Sequence, residues 1–387
     1  MKSEVGSERL LIVNAGDNLS KKGEIGIRQA NLIMASYSLM GVDLVALGTK
    51  DFFIGADELK KIAAVSRIPF VCANLHDSRG GVPYFIPYLK INRGKQRILI
   101  TSVIDPTLEQ KLGDKKLSLS DPVKAIENVR QSISHDIFIV VCNARVNRAE
   151  KWVSQLKNVD LVVLGKYIWF MGNRKKVVGS TAVVSNNNRG KAIAYVDFIR
   201  LSDGSFRITD PVFMSLSEKK IPPDPVVAGM VDEYEKWLRE YNIKNRRKRL
   251  QKLGKTKFPE AAGFYVGKDW CVRCHQKIVR SWEKTAHARA MDSLKNREKE
   301  FDPDCLRCHV TGMGDKRAGG GFTDTVITAH MAGVQCEACH GPAGPHLQAP
   351  EQVHLQRIPG REVCLKCHTP DRDADFNYDA DLKKTAH

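Results

Sequence analysis

The chain has 387 residues, of which 42% are hydrophobic and 27% charged, and its formal net charge is +17. This length predicts two or more domains, each able to bury a core of its own. No run of 18 or more apolar residues occurs, which excludes a transmembrane helix, and the first ten residues lack the apolar stretch of a secretory signal.

The N-terminal part of the chain is predicted to alternate strands with helices. Residues 26–41 have the apolar spacing of a helix. Short apolar runs rich in β-branched residues predict strands at 9–16, 42–49, 68–75, 135–144 and 159–166. This alternation predicts an α/β layered fold. From Lys176 onwards, Asn/Gly and Asp-Gly turns between apolar runs predict antiparallel strands.

Five short segments of this region resemble motifs of the calcineurin-type metallophosphoesterase domain of bacterial 5′-nucleotidases. Residues 14–17 correspond to its Gly-Asp motif, residues 48–55 to Gly-Asn-His-Glu-Phe-Asp-x-Gly, and residues 72–75 to Ser-Ala-Asn-Leu. Residues 141–144 and 165–168 occupy its Leu-Ser-His-Leu and Gly-His-Thr-His positions. The resemblance covers about residues 9–210. It implies a metallophosphoesterase-like layered sandwich, which we assign to residues 1–222.

The main departures from that family fall on its metal ligands. The first Asp-x-His motif has no counterpart, and Asp17 alone remains of the ligand positions. The other positions hold Thr49, Lys50, Asn143, Lys166 and Ile168. A two-metal hydrolase needs carboxylates and imidazoles that converge on ions about 3.5–4 Å apart. We therefore expect no divalent metal and no phosphatase or nucleotidase activity, and we interpret the domain as a scaffold or docking module.

Two cysteines, Cys72 and Cys142, end apolar strands close to these altered positions. We interpret each as a small buried hydrophobic residue. The alternative is a reactive thiol whose pKa is lowered by Lys50 or Lys166. In that case Asp17, Lys50, Cys142 and Lys166 would form an altered pocket with changed chemistry.

Residues 223–258 are predicted to form a basic helical linker, with a helix from about 226 to 253. Eight Lys and Arg residues lie in 243–258, which contains no acidic residue. Residues 260–387 contain 18 basic and 18 acidic residues, so the positive charge belongs to the preceding part. We interpret the basic run as a solvated helix that docks within the chain or on an anionic partner. A nucleic-acid function is the alternative, but no interleaved aromatic residues or known motif support it, and we predict no nucleic-acid partner.

The last part of the chain, 259–387, contains the motif Cys-x-x-Cys-His four times. The copies are Cys271/Cys274/His275, Cys305/Cys308/His309, Cys336/Cys339/His340 and Cys364/Cys367/His368. This is the c-type haem attachment signature, in which two thiols bond one haem and the following imidazole binds its iron. Zinc sites would not need a His directly after the second Cys of all four motifs. A thioredoxin-like motif explains one Cys-x-x-Cys, not four. The sequence predicts four c-type haems in a mainly α, haem-packed domain.

Five further His residues in this domain are available as second axial ligands. We select His287, His330, His346 and His387, and we interpret His354 as a surface residue. Nearly one spare His per haem favours irons with both axial sites filled, which suits electron transfer. For His330 the alternative is a satisfied or exposed residue with no role at a metal.

Residues 282–290, 305–312 and 333–342 resemble the tetrahaem cytochrome c-554 family, and the resemblance spans 264–387. It implies that His287 serves the haem of His340, His346 that of His275, and His387 that of His368. In the type member of the family the iron of the second motif has an open face. In this sequence His330 is placed to close that face on the haem of His309.

These patterns predict an extracytoplasmic electron carrier, periplasmic or extracellular, whose signal sequence has been removed or lies upstream. The basic N-terminal part would steer anionic surfaces of redox partner proteins. Assembly of a homo-oligomer through the N-terminal domain is a further hypothesis. The alternative function is a redox enzyme that uses an open haem at His309 or the altered N-terminal pocket.

Overall fold

The computed structural model describes residues 6, 8–165, 175–185, 192–216, 221–253, 264–315, 319–369, 372–373 and 375–385, with the backbone alone for 246–253. The chain forms two compact units, Met1–Tyr234 and Glu235–His387. The boundary falls inside one long helix. The three-part division at 222 and 258 stays a prediction. No helix in the described ranges is long and apolar enough to cross a membrane.

The first unit begins with a small parallel sheet. Its strands β1 (Val13–Asn14), β2 (Leu44–Ala46) and β3 (Phe70–Val71) are hydrogen-bonded in that order. Helix α1 (Gly23–Met40) connects the first two and ends at Gly41, whose φ of 65° gives the left-handed cap that glycine adopts without strain. A 3-10 helix, Thr49–Ile54, and α2 (Ala56–Ser66) connect the next two.

A six-stranded sheet forms the centre of this unit. Strands β6 (Gln96–Ile104), β8 (Ile137–Asn143), β9 (Leu161–Leu164) and β11 (Thr181–Ser185) are parallel neighbours. At the two edges β5 (Tyr88–Arg93) and β10 (Lys176–Val178) pair antiparallel. All seven residues of β8 are buried, as expected for a central parallel strand covered on both faces. Helices α3 (Pro122–Ser132) and α4 (Val146–Val153) lie between the strands in sequence, so the predicted α/β layered fold is confirmed.

Three two-stranded sheets complete the unit. They are β4 (Leu75–Asp77) with β7 (Leu117–Leu119), β12 (Ala192–Tyr195) with β15 (Val212–Ser215), and β13 (Phe198–Arg200) with β14 (Phe206–Ile208). The predicted Asp-Gly turn joins β13 to β14, and Gly204 has a φ of 87° there. The predicted Asn/Gly turn before β12 lies outside the described residues.

Helix α5 (Pro225–Leu253) agrees with the helix predicted at about 226–253. Its second half belongs to the second unit and is fixed there by ion pairs. Arg239 contacts Glu298 and Glu300, and Glu235 lies 2.7 Å from Lys299. These pairs are exposed on at least one side, so each stabilises the unit by about 1 kcal/mol or less.

The second unit consists of short helices and loops. The helices are α6 (Lys268–Cys271), α7 (Gln276–Trp282), α8 (Ala290–Lys295), α9 (Pro303–His309), α10 (Cys336–His340), α11 (Gly344–Gln348), α12 (Arg361–Cys364) and α13 (Tyr378–Thr385). Its apolar cluster is small and includes Met291, Leu294, Leu306, Phe322 and Met331. A cluster of this size is typical of a domain whose core is completed by a bound group.

Candidate haem-binding site

Each of the four Cys-x-x-Cys-His motifs forms one turn of helix. Helices α9 and α10 end at their motif histidines, whereas α6 and α12 end at the first cysteine of theirs. In these two, the amides of His275 and His368 still donate to the carbonyls of Cys271 and Cys364 at 2.9 Å. Residues three apart share a face of a helix. Both thiols of a motif therefore lie on one side, with the imidazole next to them.

Cys274, the second thiol of the first motif, differs in exposure from the other motif cysteines. A thiol bonded to haem is expected to lie in the haem-packed interior, yet Cys274 is exposed, whereas the other seven motif cysteines are partly buried. The reason is its place in the chain, because α6 ends at Cys271 and Cys274 falls in the turn before α7. The thioether bond of Cys274 stays a prediction.

Thiols of different motifs lie close together. The order of the motifs in space therefore differs from their order in the chain. One hydrogen bond joins Cys271 to Cys336, and another joins Cys367 to Cys308. Cys339 is near enough to Cys364 for their charges to interact. In space the motifs therefore follow one another as first, third, fourth and second.

The thiol pKa values reflect this crowding. The hydrogen bond between Cys271 and Cys336 raises the pKa of Cys271 and lowers that of Cys336. Burial raises the pKa of Cys339 to about 11. Burial, followed by the charge of Cys308, raises the pKa of Cys367 to about 12. Cys339 and Cys367 are therefore uncharged thiols at neutral pH, which lets several of these groups pack together.

Two pairs of imidazole rings have the spacing of axial ligands to a single iron. Two imidazoles bound from opposite faces through bonds of about 2 Å have ring centres roughly 6 Å apart, since each centre lies about 1 Å beyond its nitrogen. The ring centres of His275 and His346 are 6.4 Å apart with an interplanar angle of 25°. Those of His287 and His368 are 6.0 Å apart at 70°. These residues fit a haem with two His ligands.

Hydrogen bonds fix the orientation of four imidazoles in this unit. Nδ1 lies 2.6 Å from a backbone carbonyl in three cases, His309 to Ala290, His340 to Gln356 and His346 to Val353. In His368 it lies 2.7 Å from Oδ2 of Asp373. A carbonyl or carboxylate oxygen accepts, so Nδ1 carries the proton and Nε2 keeps its lone pair for a metal. Burial, and then the charge of His368, lowers the pKa of His287, which favours the neutral form that binds iron.

The structure differs from one predicted ligand pairing. His287 faces His368 of the fourth motif, not His340 of the third, because the loop after α7 brings it to the fourth motif. The proximity predicted for His346 and His275 is present. His354 is exposed. His387 lies outside the described residues.

The predicted pairing of His330 with His309 is not seen as a ring contact among the described residues. His330 is exposed, and its ring lies close to Gly267, where its Cδ2 would be 3.5 Å from an added Cβ. Gly267 directly precedes α6 and therefore the first motif, not the second. The role of His330 as an axial ligand stays a prediction.

A buried carboxylate that was not predicted from the sequence links the first motif to the third. Glu337 lies inside the third Cys-x-x-Cys-His and is 2% exposed. It accepts hydrogen bonds from the amides of Val266, Gly267 and Ala343 at 2.8–3.1 Å. Burial raises its pKa, and these amide bonds oppose that rise. The signal in the sequence was an acidic residue between the two cysteines of a motif, a position that has no need of charge for haem attachment.

In the first unit, the vacated metal-ligand positions meet at Gly48. An added Cβ there would lie 2.3 Å from Oδ1 of Asp17 and 2.4 Å from Nδ2 of Asn143, so glycine alone leaves room for both side chains. Asp17 accepts the Lys50 amide at 2.9 Å, while the Lys50 side chain is exposed. Asn143 is 1% exposed, and its amide group has no hydrogen-bond partner among the described residues. Lys166 and Ile168 lie outside the described residues.

The hypothesis of a reactive Cys142 is wrong. Cys72 and Cys142 are almost fully buried, and burial raises the pKa of each thiol to about 12. Cys142 packs in the core between strands of the large sheet and its helices. Both residues therefore act as small hydrophobic side chains.

The two units are similar to different known proteins. Residues 270–341 match the family described as cytochrome c554 and c-prime. Cytochrome c-554 of Nitrosomonas europaea is 41% identical over 93 residues, 20% of this chain and 38% of that protein. The multiheme cytochrome MtrA of Shewanella baltica is 31% identical over 83 residues, 19% of this chain and 25% of that protein. The chain thus spans well under half the length of these relatives.

Solved structures resemble the N-terminal part. The sulfate thiohydrolase SoxB of Thermus thermophilus superposes with a TM-score of 0.52 at 17% identity, over 60% of this chain and 44% of that one. A 5′-nucleotidase precursor from Thermus thermophilus gives 0.52 at 16% identity, over 61% and 51%. At such identities the likeness is one of fold. The predicted metallophosphoesterase-like fold is confirmed.

The chain therefore joins two classes of domain, a metallophosphoesterase-like α/β unit and a helical unit with c-type haem attachment motifs. The second of these is similar to cytochrome c-554 over residues 270–341.

Proposed function

We propose that the protein is an extracytoplasmic tetrahaem cytochrome that transfers electrons, with the first unit as a non-hydrolytic scaffold or docking module. The observation that carries this proposal is the pair of imidazole spacings, 6.4 Å for His275 with His346 and 6.0 Å for His287 with His368. Two imidazoles bound to one iron would suit a carrier, because they would leave no position for a substrate. Covalent haem attachment takes place outside the cytoplasmic membrane, which supports the proposed location.

The cysteines and histidines of the second unit would have different roles in holding four haems. Eight cysteines would form the thioether bonds and His275, His309, His340 and His368 would bind the four irons. When bound, haem supplies reversible one-electron transfer. The hydrogen bonds from Nδ1 of His309, His340 and His368 hold these imidazoles with Nε2 free for a metal, so little would need to move when the charge changes. The close contacts between thiols of different motifs favour short distances between neighbouring haems.

Charge supports a docking role for the first unit. The first unit, residues 1–234, contains 33 basic and 24 acidic residues, and the basic run 243–258 lies at the start of the second unit. A basic partner domain next to a redox domain would attract anionic redox proteins and speed their encounter. At the former metal site, Asn143 and the exposed Lys50 do not supply the carboxylates and imidazoles of a two-metal hydrolase.

The test is haem stoichiometry and activity of the full chain produced with an extracytoplasmic haem-attachment system. We expect four haems per chain by pyridine haemochrome assay and mass, fully reversible one-electron titrations, and no hydrolysis of a nitrophenyl phosphate with added Mn²⁺. Fewer than four haems, or zinc bound in their place, would contradict the proposal. Hydrolysis would contradict the role assigned to the first unit alone.

A second candidate function is favoured by the surroundings of His309. No ring contact pairs it with another imidazole among the described residues, although Ala290 and Ser293 orient its Nδ1. An iron with an open face there would bind a small ligand and make the protein a redox enzyme. A high-spin ferric EPR signal and rapid CO binding by the reduced protein would favour this function over a pure carrier.

A further inference from the structure

The imidazole of His368 differs from the others in the group that accepts its proton. The acceptors of His309, His340 and His346 are neutral backbone carbonyls. His368 donates to the carboxylate of Asp373 at 2.7 Å. A carboxylate attracts the Nδ1 proton more strongly than a carbonyl does, so it increases the electron density on Nε2. Among the imidazoles whose Nδ1 partner is described, His368 alone has a carboxylate as that partner.

The loop after the fourth motif holds Asp373 in place. The Asp373 amide donates to the Thr369 carbonyl at 2.8 Å, which closes a turn directly behind the motif. Three residues further on, Phe376 stacks on the His368 ring with centres 4.7 Å apart and an interplanar angle of 22°. The imidazole is therefore held by a carboxylate at Nδ1, an aromatic ring on one face and His287 at the distance of a second axial ligand.

Charges of opposite sign lie near this pair, because Lys384 interacts with Asp373 and Asp381 interacts with His368. Lys384 senses the charge of Asp373 but is paired with Asp381 at 2.6 Å. The ion pairs of the described residues give Asp373 no partner besides His368. The side chains of His368 and Asp373 are 35% and 40% exposed, so solvent weakens the carboxylate's effect without removing it.

We propose that Asp373 is a positioning residue that lowers the reduction potential of the haem bound by Cys364, Cys367 and His368 below that of the other haems. This rests on the proposed function, because it assumes that the motif carries haem. A more basic imidazole stabilises the ferric state more than the ferrous state, which makes reduction less favourable. One electron is gained on reduction, no covalent bond changes, and the proton stays between Nδ1 and Oδ2.

The test is Asp373→Asn in the haem-loaded full chain, followed by spectropotentiometric titration. We expect one of four midpoints to rise, so that its ferrous-to-ferric ratio at fixed ambient potential increases about tenfold, which corresponds to about 59 mV for one electron. Asp375→Asn is the matched control, since it removes the same charge from an exposed residue two positions away. Asp373→Glu should keep the lower potential.

The shifted haem should be the one whose ligand planes are strongly crossed, at 70°. In the unmodified protein, that haem should have the lowest midpoint of the four, a measurement that needs no variant. Equal shifts in Asp373→Asn and Asp375→Asn, or no shift in either, would overturn the proposal while four bound haems left the proposed function intact. A chain with fewer than four haems would refute the proposed function instead.

Discussion

Buried carboxylates that accept several backbone amides recur in both units. Asp51 in the first unit is 2% exposed and accepts the amides of Asp17, Asn18 and Gly48 at 2.8–2.9 Å. Glu337 in the second unit accepts three amides in the same manner. In each case the amides belong to residues outside the strands and helices, so the carboxylate replaces regular hydrogen bonding where the backbone turns.

Removing the charge of Glu337 should loosen the first and third motifs together. Glu337→Gln replaces one acceptor oxygen with a donor, which leaves a buried amide of Val266, Gly267 or Ala343 without a partner. The expected loss is about 1–3 kcal/mol of unfolding free energy in the haem-loaded protein. Chemical denaturation followed by haem absorbance measures it. Glu351→Gln, at an exposed residue, is the control and should have no effect.

The stability of the first unit should depend on pH through Asp51. Burial, the largest cause, and the charge of Asp17 raise its pKa to about 6, while the three amides oppose the rise. A folded-state pKa above the unfolded value means that the protonated group stabilises the fold below about pH 4. That stabilisation, on the order of 3 kcal/mol, is lost as the pH rises through about 6.

Denaturant unfolding of Asp51→Asn at pH 4 and pH 7 tests this expectation. The unmodified chain should lose more unfolding free energy between these pH values than the variant does. Asp57→Asn, at an exposed residue of α2, should behave like the unmodified chain. Identical pH profiles for Asp51→Asn and the unmodified chain would contradict the assignment.

At the scale of elements, the strands and helices of the first unit were predictable, and the long-range pairings of the second were not. Residues 137–142 are all apolar, as expected for a strand covered on both faces, so their composition predicts that β8 is buried. The Cys-x-x-Cys-His spacing likewise determines a helical turn with both thiols on one face. The partner of His287 depends on how loops fold back over about 80 residues, and no local pattern encodes that. Glu337 was missed because the amides of Val266 and Gly267 lie about 70 residues away in the chain. Asp373 lies only five residues from His368, but it is one of several acidic residues after the fourth motif, and their spacing does not single it out.

The two imidazole pairs should give two kinds of low-spin ferric EPR signal. Nearly parallel ligand planes, at 25° for His275 and His346, favour a rhombic signal. Strongly crossed planes, at 70° for His287 and His368, favour a highly anisotropic signal. His346→Ala should remove one rhombic signal and produce a high-spin one. His354→Ala should leave the spectrum unchanged, because that residue is exposed. Loss of the highly anisotropic signal in His346→Ala would show that the ligand pairs are exchanged.

On the scale of the whole molecule, both units carry an excess of basic residues, 33 against 24 acidic in residues 1–234 and 28 against 20 in residues 235–387. We expect the second-order rate of electron transfer with an anionic redox protein to fall as salt rises from 10 mM to 200 mM, because the Debye length shortens from about 30 Å to below 10 Å. Stopped-flow reduction measures this rate. A small uncharged reductant is the control and should show no salt dependence. A rate that rises with salt would exclude steering by the basic part.

The interleaving of motifs and distal ligands has a mechanical consequence. His287 follows the first motif yet faces His368 of the fourth, and His346 follows the third yet faces His275 of the first. Once both imidazoles bind one iron, each pair closes a loop of about 70–80 residues, as a disulfide would. By loop-closure entropy, each such cross-link restricts the unfolded chain by on the order of 4 kcal/mol. The two loops overlap, so the segments 275–346 and 287–368 would be constrained together. The proposed haem irons would then also stabilise a unit whose apolar cluster is small.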